Sequence, residues 1–505
     1  MKRVVIIGGG ITGLAAAQRL LERSQESGKQ VDLKILEASG RTGGIVQTRE
    51  RDGFLLESGP DSFISEKPAA LELAKRLGLE SHLIETNEHH RRSFIVRQGR
   101  LLPVPEGFHL VAPSRFWPFV KSDIFSWSGK ARMALDLLLP RRQLNGGNTD
   151  ESLAQFVRRR LGTEALERMA QPMVGGIYTA DPEQLSLRAT MPRFLEMERE
   201  HRSLIRALRK QGRSPAVSRG SEDGGSSPTL DAETSGARYS LFLSFDRGMQ
   251  VLTDKLEERI SNFRFPISNN THGEAKAAIR VNTAVESIIL EPEALGGDSS
   301  PKWKLETSGN ETMVADAICL ALPAYASARL LRNPDPQLAA ELAGISYASS
   351  LTINLAYKRE DIPHPLDGFG FVVPFIEKRT LIACTFSSVK FAGRAPRGHA
   401  LLRAFVGGAL QPELFELSEA ELLSRVREDL RELLGIERAP LFAEVSRWER
   451  SMPQYHVGHI ERVKRIEERI ASLLGLVLAG NAYSGLGIPD CIRSGEAAAD
   501  NIFLA

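Results

Sequence analysis

Three side chains that can move protons at neutral pH lie within eight residues near the end of the chain. The stretch MPQYHVGH, residues 452–459, carries Tyr455, His456 and His459. Histidine titrates close to neutrality and often serves as a general acid or base. The same side chains also fix loops through hydrogen bonds. On residue types alone, catalysis and a structural frame both remain open for this stretch.

A second candidate site lies at the N-terminus, where Gly8, Gly10 and Gly13 have the spacing GxGxxG. Residues 3–7 predict a short buried strand and residues 12–24 predict a helix, so the glycines occupy a strand-to-helix turn. The first glycine permits the tight turn, the second lets a pyrophosphate approach the backbone, and the third allows close helix packing. The helix N-terminus favours phosphate charge. This arrangement predicts a dinucleotide site.

A carboxylate and a further glycine-rich segment follow this motif. Residues 31–36, VDLKIL, predict a second strand and so the strand–helix–strand start of a parallel sheet. Glu37 ends that strand, where a carboxylate can bind ribose hydroxyls. In residues 38–48, ASGRTGGIVQT, Arg41 precedes a glycine pair. That segment resembles the second signature of the flavin amine oxidase superfamily, which favours a flavin over a nicotinamide.

The other end of the chain repeats the strand-to-helix pattern. Residues 478–503, LAGNAYSGLGIPDCIRSGEAAADNIF, predict a strand, a glycine-rich turn and a helix. The helix N-terminus would stabilise negative charge on a reduced flavin. Asn481 stands where many flavoproteins have Asp, so it can hydrogen-bond without bringing charge. Two terminal segments that build one site predict a discontinuous cofactor domain.

Composition sets limits on the function classes. The 505 residues are 42% apolar and carry a net charge of +2, which gives no global electrostatic reason to expect nucleic acid. Three widely spaced cysteines provide neither a disulfide framework nor a metal-binding pair, so we expect no metal site and a reducing compartment. The N-terminus lacks a signal-peptide pattern, and no apolar run is long enough to span a membrane. A cytoplasmic protein is the expectation.

The middle of the chain changes character twice. Six aromatic residues fall between Phe108 and Trp127, and residues 150–170 and 186–211 predict helices. The aromatic block has two open interpretations, the core of a helical domain or a surface that meets a membrane. Residues 212–238 are rich in Gly, Ser and Pro and predict a disordered loop.

These patterns predict an α/β fold in several domains. We expect a discontinuous Rossmann-type FAD-binding domain, a mixed-sheet substrate domain and a helical domain, for which a membrane-facing surface is one of the two open interpretations. The predicted bounds are 1–90 with 240–300 and 440–505 for the first, 91–107 with 302–439 for the second, and 108–211 for the third.

Three segments make the resemblance more specific. GGIYTADPEQLSLRATMPRF (175–194), MPQYHVGH (452–459) and AGNAYSGLGIPDCIRSGE (479–496) resemble the oxygen-dependent protoporphyrinogen and coproporphyrinogen oxidases of haem synthesis. The similarity runs over nearly the whole chain, and the main departure is the polar insertion at 212–238. Related amine oxidases and carotene desaturases share the N-terminal signatures but not these segments.

The resemblance implies a set of FAD-binding residues and a few residues on the substrate side. Gly175 and Gly176 match a glycine turn beside the substrate, and Arg92 is the candidate to pair with a propionate, with a solvated charge equally open. No dedicated catalytic residue is expected. The implied FAD-binding residues are Gly8, Gly9, Gly10, Ile11, Thr12, Gly13, Glu37, Ala38, Arg41, Gly43, Gly44, Ile45, Glu57, Ser58, Gly59, Pro60, Val285, Asn481, Leu486, Gly487 and Ile488.

The MPQYHVGH stretch also fits this family. Trp448, Pro453 and Gly458 resemble the W…P…G segment that runs up to the flavin in the wider superfamily. Monoamine oxidases carry a cysteine there that bonds the flavin, whereas this chain has Gly458-His459. We therefore expect non-covalent FAD. Because the residues after Gly458 predict a helix, His459 is expected at its start, with a structural role favoured over acid–base catalysis.

The implied reaction is the six-electron oxidation of a porphyrinogen by O2 in haem biosynthesis, with three H2O2 released. Coproporphyrinogen III and protoporphyrinogen IX both remain open as substrates. Partners implied by the family are a homodimer, peripheral contact with the inner face of the cell membrane, and hand-off to a ferrochelatase. Two other functions remain alternatives: a flavin amine oxidase or carotenoid-type desaturase, and a tetrapyrrole- or flavin-binding protein without turnover.

Overall fold

The computed structural model describes residues 1–142, 150–211, 242–264, 277–291 and 302–504. The chain forms two compact units. The first comprises Met1–Ile84, Leu241–Tyr347 and His459–Ala505, and the second comprises Glu85–Ser240 and Ala348–Gly458. The predicted loop 212–238 lies outside the described residues. The predicted three-domain bounds stay a prediction.

The strands succeed one another along the chain. They are β1 (Lys2–Ile7), β2 (Val31–Leu36), β3 (Thr48–Arg51), β4 (Phe54–Glu57), β5 (Phe63–Ile64), β6 (Leu83–Glu85), β7 (Phe94–Arg97), β8 (Arg100–Pro103), β9 (Phe108–His109), β10 (Ala112–Pro113), β11 (Phe242–Phe245), β12 (Ala277–Arg280), β13 (Val285–Glu291), β14 (Lys302–Thr307), β15 (Thr312–Ala315), β16 (Ala317–Leu320), β17 (Tyr347–Lys358), β18 (Gly370–Val372), β19 (Leu381–Phe386), β20 (His399–Gly407), β21 (Phe442–Pro453) and β22 (Leu476–Leu478).

The helices are numbered in the same direction. They are α1 (Ile11–Ser27), α2 (Ala69–Arg76), α3 (Phe116–Lys121), α4 (Trp127–Ala134), α5 (Leu153–Arg160), α6 (Thr163–Ala165), α7 (Gln171–Tyr178), α8 (Leu187–Thr190), α9 (Pro192–His201), α10 (Leu204–Gln211), α11 (Gln250–Ser261), α12 (Ala324–Leu331), α13 (Pro336–Ala343), α14 (Ser387–Lys390), α15 (Glu419–Leu434), α16 (His459–Ile470) and α17 (Ile488–Leu504).

A parallel five-stranded sheet forms the centre of the first unit, in the order β12-β2-β1-β16-β22. The buried β-branched run of β1 suits a strand that is covered on both faces. Helices α1, α2, α11 and α17 contribute to the core on one side of the sheet. Strands β13–β15 and helices α12, α13 and α16 contribute to a second core. The predicted α/β fold class is confirmed.

The second unit contains a mixed seven-stranded sheet in the order β21-β17-β20-β19-β18-β7-β8. Strands β18 and β7 run parallel, while β17, β20 and β19 pair antiparallel. One sheet face packs against α15 through an apolar core. The predicted hairpin turn is confirmed, because Gln98 and Gly99 connect β7 to β8 with φ of 50° and 72°.

The aromatic block divides between the two interpretations left open by the sequence. Phe108, Phe119 and Phe125 are buried and contact one another, with ring centroids 5.7–5.8 Å apart. Trp117 and Trp127 are 68% and 73% exposed. The block is therefore core on one side and an exposed apolar surface on the other.

A buried ion pair anchors the helical part of the second unit. Arg160 and Asp136 are both fully buried, and the arginine Nε donates to Asp136 Oδ1 at 2.7 Å. Ser203 Oγ and the Ile205 amide also donate to Asp136. Removing one member of such a pair typically costs about 3–5 kcal/mol, because the other charge stays buried. Across the described ranges, no helix is both long and apolar enough to cross a membrane.

Candidate functional site

The turn between β1 and α1 is built by close backbone approaches. Gly8 has φ of 109°, and a Cβ placed on it would lie 2.4 Å from the carbonyl oxygen of Ala321. A Cβ on Gly13 would lie 2.0 Å from the Gly8 oxygen. Neither position tolerates a side chain, so these two glycines set the turn geometry that the motif predicts.

Gly10 differs from its neighbours because its surroundings leave the backbone approachable. It is the N-cap of the 17-residue helix α1, with φ of −70° and ψ of 177°, and no side chain caps this end of α1. A Cβ on Gly10 would meet no atom within 4 Å. Free N–H groups at a helix start and an approachable backbone together form a cradle for a phosphate group.

Glu37 holds the glycine-rich turn against neighbouring loops. One carboxylate oxygen accepts a hydrogen bond from the Gly9 amide at 2.7 Å, and the other accepts from the amide and hydroxyl of Ser39 at 2.8 and 2.7 Å. The amides of Asn282 and Thr283 donate to the Ser39 and Glu37 carbonyls, both at 2.8 Å. These contacts bring the start of β13 to the edge of the sheet where β1 and β2 end.

Two of the predicted FAD-binding residues, Val285 and Ala38, lie next to these contacts in the chain. Val285 begins β13 and is 6% exposed. Ala38, which follows Glu37 after the end of β2, is exposed. Binding of ribose by Glu37 and of adenine by the Val285 backbone stay predictions.

The segment after Glu37 folds over the first turn. The Gly43 amide donates to the Gly9 carbonyl at 2.8 Å, and Gly43 and Gly44 have φ of 90° and 58°. Arg41 donates to the carbonyls of Gly44 and Val46 at 2.7 and 2.6 Å, which braces the loop. Because Gly43 bridges to Gly10, these contacts also keep the positive charge of Arg41 near the phosphate cradle at the start of α1.

The predicted ESGP segment lies against this loop. Glu57 is 4% exposed and accepts hydrogen bonds from the Met249 amide and the Thr48 hydroxyl, both at 2.8 Å. A Cβ on Gly59 would lie 1.8 Å from the Ile45 carbonyl oxygen. Ser58 and Pro60 flank that contact, and the Ser58 amide donates to the Gln47 carbonyl at 2.9 Å. The segment therefore supports the loop that carries Ile45, which is 42% exposed.

The C-terminal turn leads from β22 into α17 at the same edge of the sheet. The Gly480 amide donates to Ser494 Oγ at 3.0 Å, and Asn481 follows directly. The residues Leu486, Gly487 and Ile488 open the helix, and the Gly487 amide donates to Asp490 at 3.3 Å.

Four residues of this region are not among the site residues that the sequence predicts: Lys67, Asp490, Arg493 and Gly495. Asp490 is 3% exposed, and its carboxylate pairs with Lys67 at 2.6 Å and with Arg493 at 3.1 Å. A Cβ on Gly495 would lie 2.3 Å from the Thr12 carbonyl oxygen, so this glycine lets α17 pack closely on the first turn of α1. An acidic residue in the first turn of α17 was the available signal for Asp490.

On the second unit, Arg92 is already engaged. Its Nε donates to the Asp367 carbonyl at 2.6 Å, its guanidinium forms an ion pair with the Asp367 carboxylate, and it lies 5.5 Å from the Phe94 ring centroid. Its pairing with a propionate stays a prediction. The predicted glycine turn at Gly175 and Gly176 is wrong in conformation, because both residues lie within helix α7. The helix packs on β18 at ordinary distance, since a Cβ on Gly176 would lie 3.6 Å from Val372.

The MPQYHVGH stretch is fixed by backbone contacts within the second unit. The Tyr455 carbonyl accepts from the Ser186 amide at 2.8 Å, and the Val457 amide donates to the Gln184 carbonyl at 2.9 Å. The Gly458 amide donates to Asp150 at 3.1 Å, and Asp150 also accepts from the Ser186 hydroxyl. These contacts fix a loop, which is what the structural interpretation of the stretch requires.

His459 begins α16, as the sequence predicts, and belongs to the first unit. It is 5% exposed, and its Nε2 lies 3.3 Å from the Tyr483 carbonyl oxygen. That contact ties the helix start to the C-terminal turn.

The chain matches a family model described as "Flavin containing amine oxidoreductase" over residues 11–503. The chain belongs to this family. Its relatives extend over nearly its full length. A protein named coproporphyrinogen III oxidase from Bacillus subtilis is 34% identical, and the match covers 98% of this chain and 97% of that protein. One of the same name from Staphylococcus aureus is 32% identical, with 99% of both chains covered.

More distant relatives and solved structures also resemble the chain over nearly its full length. A chloroplastic protoporphyrinogen oxidase from Nicotiana tabacum is 28% identical, and the match covers 99% of this chain and 85% of that protein. A crystal structure from Exiguobacterium sp. 255-15, which carries a provisional protoporphyrinogen oxidase name, has a TM-score of 0.81 at 31% identity, with 100% and 99% of the two chains covered. Putrescine oxidase, at 16% identity and a TM-score of 0.64, shares the fold.

This oxidoreductase uses FAD. Members of the family contain a flavin. The β1–α1 turn has the geometry of a dinucleotide-binding site, so the flavin is FAD, the dinucleotide form. The residues present fit that group: Gly10 leaves its backbone approachable, Arg41 places a cation nearby, and the starts of α1 and α17 lie at one sheet edge. The assignment of individual contacts to FAD stays a prediction.

The three cysteines are buried thiols. Burial raises the pKa of Cys319 and of Cys491 to about 12, and it also raises the pKa of Cys384. At neutral pH all three are therefore protonated and poorly nucleophilic.

Proposed function

We propose that this protein oxidises coproporphyrinogen III to coproporphyrin III in haem biosynthesis. The observation that carries the proposal is the near full-length similarity to three proteins of that name, at 32–36% identity. Because the similarity covers both compact units, it includes the cofactor half and the remaining half of the chain alike. Porphyrinogen and O2 are then the small-molecule partners.

The reaction removes six hydrogens from the macrocycle. When bound, FAD accepts two electrons at a time and passes them to O2, so three molecules of H2O2 form per porphyrin. The chain contributes position and electrostatics: Gly10 and the start of α1 hold the pyrophosphate, and the start of α17 favours negative charge nearby. Aromatisation of the macrocycle favours proton loss from the pyrrole nitrogens, and each proton lost balances one taken up when O2 is reduced to H2O2.

We propose non-covalent binding of FAD. Residues 452–459 contain no cysteine, and the next one along the chain, Cys491, is buried with a raised pKa. Acid precipitation of the holoprotein would leave free FAD in the supernatant. Flavin that stays with the pellet would contradict this part of the proposal.

Protoporphyrinogen IX is the second candidate substrate. The plant relatives named protoporphyrinogen oxidase, at 27–29% identity, favour it. Amine oxidation has weaker support, because putrescine oxidase is only 16% identical and shows the fold alone. A flavin-binding protein without turnover would share the cofactor but not the activity.

One experiment separates these functions. The purified holoprotein is mixed with coproporphyrinogen III, protoporphyrinogen IX or putrescine, and porphyrin fluorescence and H2O2 are followed together. We expect the higher initial rate with coproporphyrinogen III, and three H2O2 per porphyrin. A faster rate with protoporphyrinogen IX would make that compound the preferred substrate. Bound FAD with no gain in porphyrin fluorescence would overturn porphyrinogen oxidation.

We also propose a cytoplasmic protein that touches the inner face of the cell membrane. The supporting feature is an apolar surface on α3 and α4 in which Phe116, Trp117 and Trp127 are 56–73% exposed. Lys130 lies 4.5 Å from the Trp127 ring centroid, but it is 8% exposed and its Nζ donates to the Val120 carbonyl at 2.7 Å. The exposed aromatic rings are therefore the feature that supports the contact.

Sedimentation with vesicles tests this contact. Vesicles of phosphatidylglycerol and phosphatidylethanolamine should retain the protein, and the double variant Trp117→Glu with Trp127→Glu should stay in the supernatant. Equal sedimentation of both proteins would refute the contact.

Homodimer formation and hand-off to a ferrochelatase complete the proposed partners. A free porphyrin is the substrate that a metal-inserting enzyme must receive, which supports the second. Sedimentation equilibrium of the holoprotein tests the dimer. Transfer kinetics that depend on the concentration of porphyrin-loaded protein, not of free porphyrin, would support direct hand-off.

A further inference from the structure

A small cavity in the second unit combines apolar walls with two arginines. Its volume is about 160 Å³. Val96, Ile124 and Pro374 are buried and supply the apolar part of the lining. Arg97 and Arg168 supply the cations. The volume is below the roughly 300 Å³ at which sites for drug-sized ligands begin, so only a small group fits.

The other polar groups at this cavity already have partners. Arg168 pairs with the Glu164 carboxylate and donates to the Ile124 carbonyl at 2.9 Å. Glu377 accepts from the amides of Gln98 and Gly99 at 2.9 and 3.3 Å. Of the two arginines that line the cavity, Arg97 is therefore the one whose side-chain donors are still available to a ligand.

Arg97 is half-buried, and among the residues that the structure describes its guanidinium makes no ion pair within 4 Å and no side-chain hydrogen bond. Its charge acts at longer range on Glu164, whose pKa it helps to lower. A guanidinium presents five donors in a planar fork that matches a carboxylate. Partial burial strengthens such a pair, because solvent screens it less than at an open surface.

The hairpin geometry gives an independent reason to expect an anion here. Arg97 on β7 is the direct cross-strand partner of Arg100 on β8. Like charges directly opposite each other destabilise a strand pair. The folded hairpin therefore carries a repulsion that a bound anion beside Arg97 would relieve, although the exposure of Arg100 and the nearby Glu377 carboxylate keep it small.

The cavity also adjoins the elements that the sequence places on the substrate side. Arg97 lies on the same face of β7 as Ile95, about 7 Å along the strand. Ile95 aligns with Val372 on β18, and Val372 is the residue that Gly176 of α7 approaches. Gln171, at the start of α7, accepts from the Phe375 amide at 2.8 Å, beside the cavity wall.

We propose that this cavity binds a carboxylate carried on a short carbon stem, with Arg97 as its principal partner and Arg168 as the second cation. The apolar walls take the stem, which favours a carboxylate over a bare phosphate. Two sources share this chemistry: a propionate arm of the tetrapyrrole, which rests on the proposed function, and a free short-chain carboxylate.

The test uses the holoprotein and three variants, of which Arg97→Met and Arg100→Met are the matched pair. Arg97→Met removes the proposed partner and the cross-strand repulsion, so it should fold at least as well as the wild type. Arg100→Met removes the opposing charge, whose side chain is not part of the cavity lining. Thermal unfolding and FAD content confirm that both are folded, and Arg97→Lys keeps a cation without the planar fork.

Two ligands distinguish the sources. Binding of coproporphyrin III is followed by quenching of its fluorescence, and binding of sodium butyrate by saturation-transfer NMR. Arg97→Met should weaken one of them by about tenfold or more, while Arg100→Met should leave both within about twofold. Loss of coproporphyrin III affinity assigns the cavity to a propionate, and loss of butyrate affinity alone assigns it to a free carboxylate.

Unchanged affinity of Arg97→Met for both ligands would overturn the proposal, as would an equal loss in Arg100→Met. These binding measurements do not depend on turnover. If the wild type failed to oxidise any porphyrinogen, the proposed function would fail, while butyrate binding would still decide the carboxylate site.

Discussion

At the scale of single residues, Gly8 makes the sharpest steric prediction. Gly8→Ala should lower the free energy of unfolding by more than about 3 kcal/mol, because it combines a left-handed backbone with a contact to a carbonyl oxygen. Gly28→Ala is the matched control, with φ of 70° and no atom within 4 Å of an added Cβ, and should cost about 1 kcal/mol. Thermal unfolding of both variants measures the difference, and equal losses would contradict the steric argument.

Single residues also show what the sequence can and cannot predict. The roles of Gly8 and Gly13 are local, because the turn that needs them is encoded within a single short motif. The Lys67–Asp490 pair joins residues 423 positions apart, so no local pattern indicates it. Gly175 and Gly176 misled the prediction because a glycine pair is typical of turns but also occurs inside a helix, as it does here.

At the scale of elements, a charged contact joins α13 to α16. Asp335 is the N-cap of α13, and its Oδ1 forms an ion pair with Arg469 Nη2 at 2.7 Å. Desolvation raises its pKa, but hydrogen bonds from Arg469 and from the Leu338 amide outweigh that effect, so its pKa lies below the ordinary value. A lowered pKa stabilises the fold above the unfolded value of about 3.9, and this contribution is lost as the pH falls through the folded value.

Asp335→Asn tests this linkage, because asparagine keeps the helix cap but loses the charge. The variant should be less stable than the wild type at pH 7, and the difference should shrink on acidification below about pH 4. Urea unfolding at neutral pH and at several acidic pH values down to about 3 measures it. A difference that stays constant with pH would contradict the assigned charge interaction.

The start of α16 gives the second prediction at this scale. His459→Gln should keep turnover per bound FAD within about threefold, because an amide nitrogen can still donate to the Tyr483 carbonyl. Loss of a true acid–base residue would cost about 10²–10⁴-fold. Rates are normalised to flavin content, with His456→Gln as the control, and a loss of that size at full flavin content would establish catalysis by His459.

At the scale of the whole molecule, one cofactor edge is assembled from segments at both ends of the chain. The parallel order of β12, β2, β1, β16 and β22 places the ends of these strands at one sheet edge. The sequence predicts this discontinuity from two strand-to-helix turns. Strand order is not predictable in the same way, because β12 and β16 carry no motif and are positioned only by pairing with β2 and β1.

FAD binding should therefore stabilise the first unit as a whole, and Gly10 separates that effect from folding. A ligand that binds only the folded state adds about 2.7 kcal/mol at a free concentration of about 100 times its Kd. Gly10→Ser should fold normally without FAD, because serine is a good N-cap and its Cβ meets no atom within 4 Å. Its side chain would occupy the approach to the backbone and compete for the same N–H groups. Unfolding with and without FAD should show the gain in the wild type and its loss in the variant, whereas an equal gain in both would refute the assignment of the phosphate cradle to Gly10.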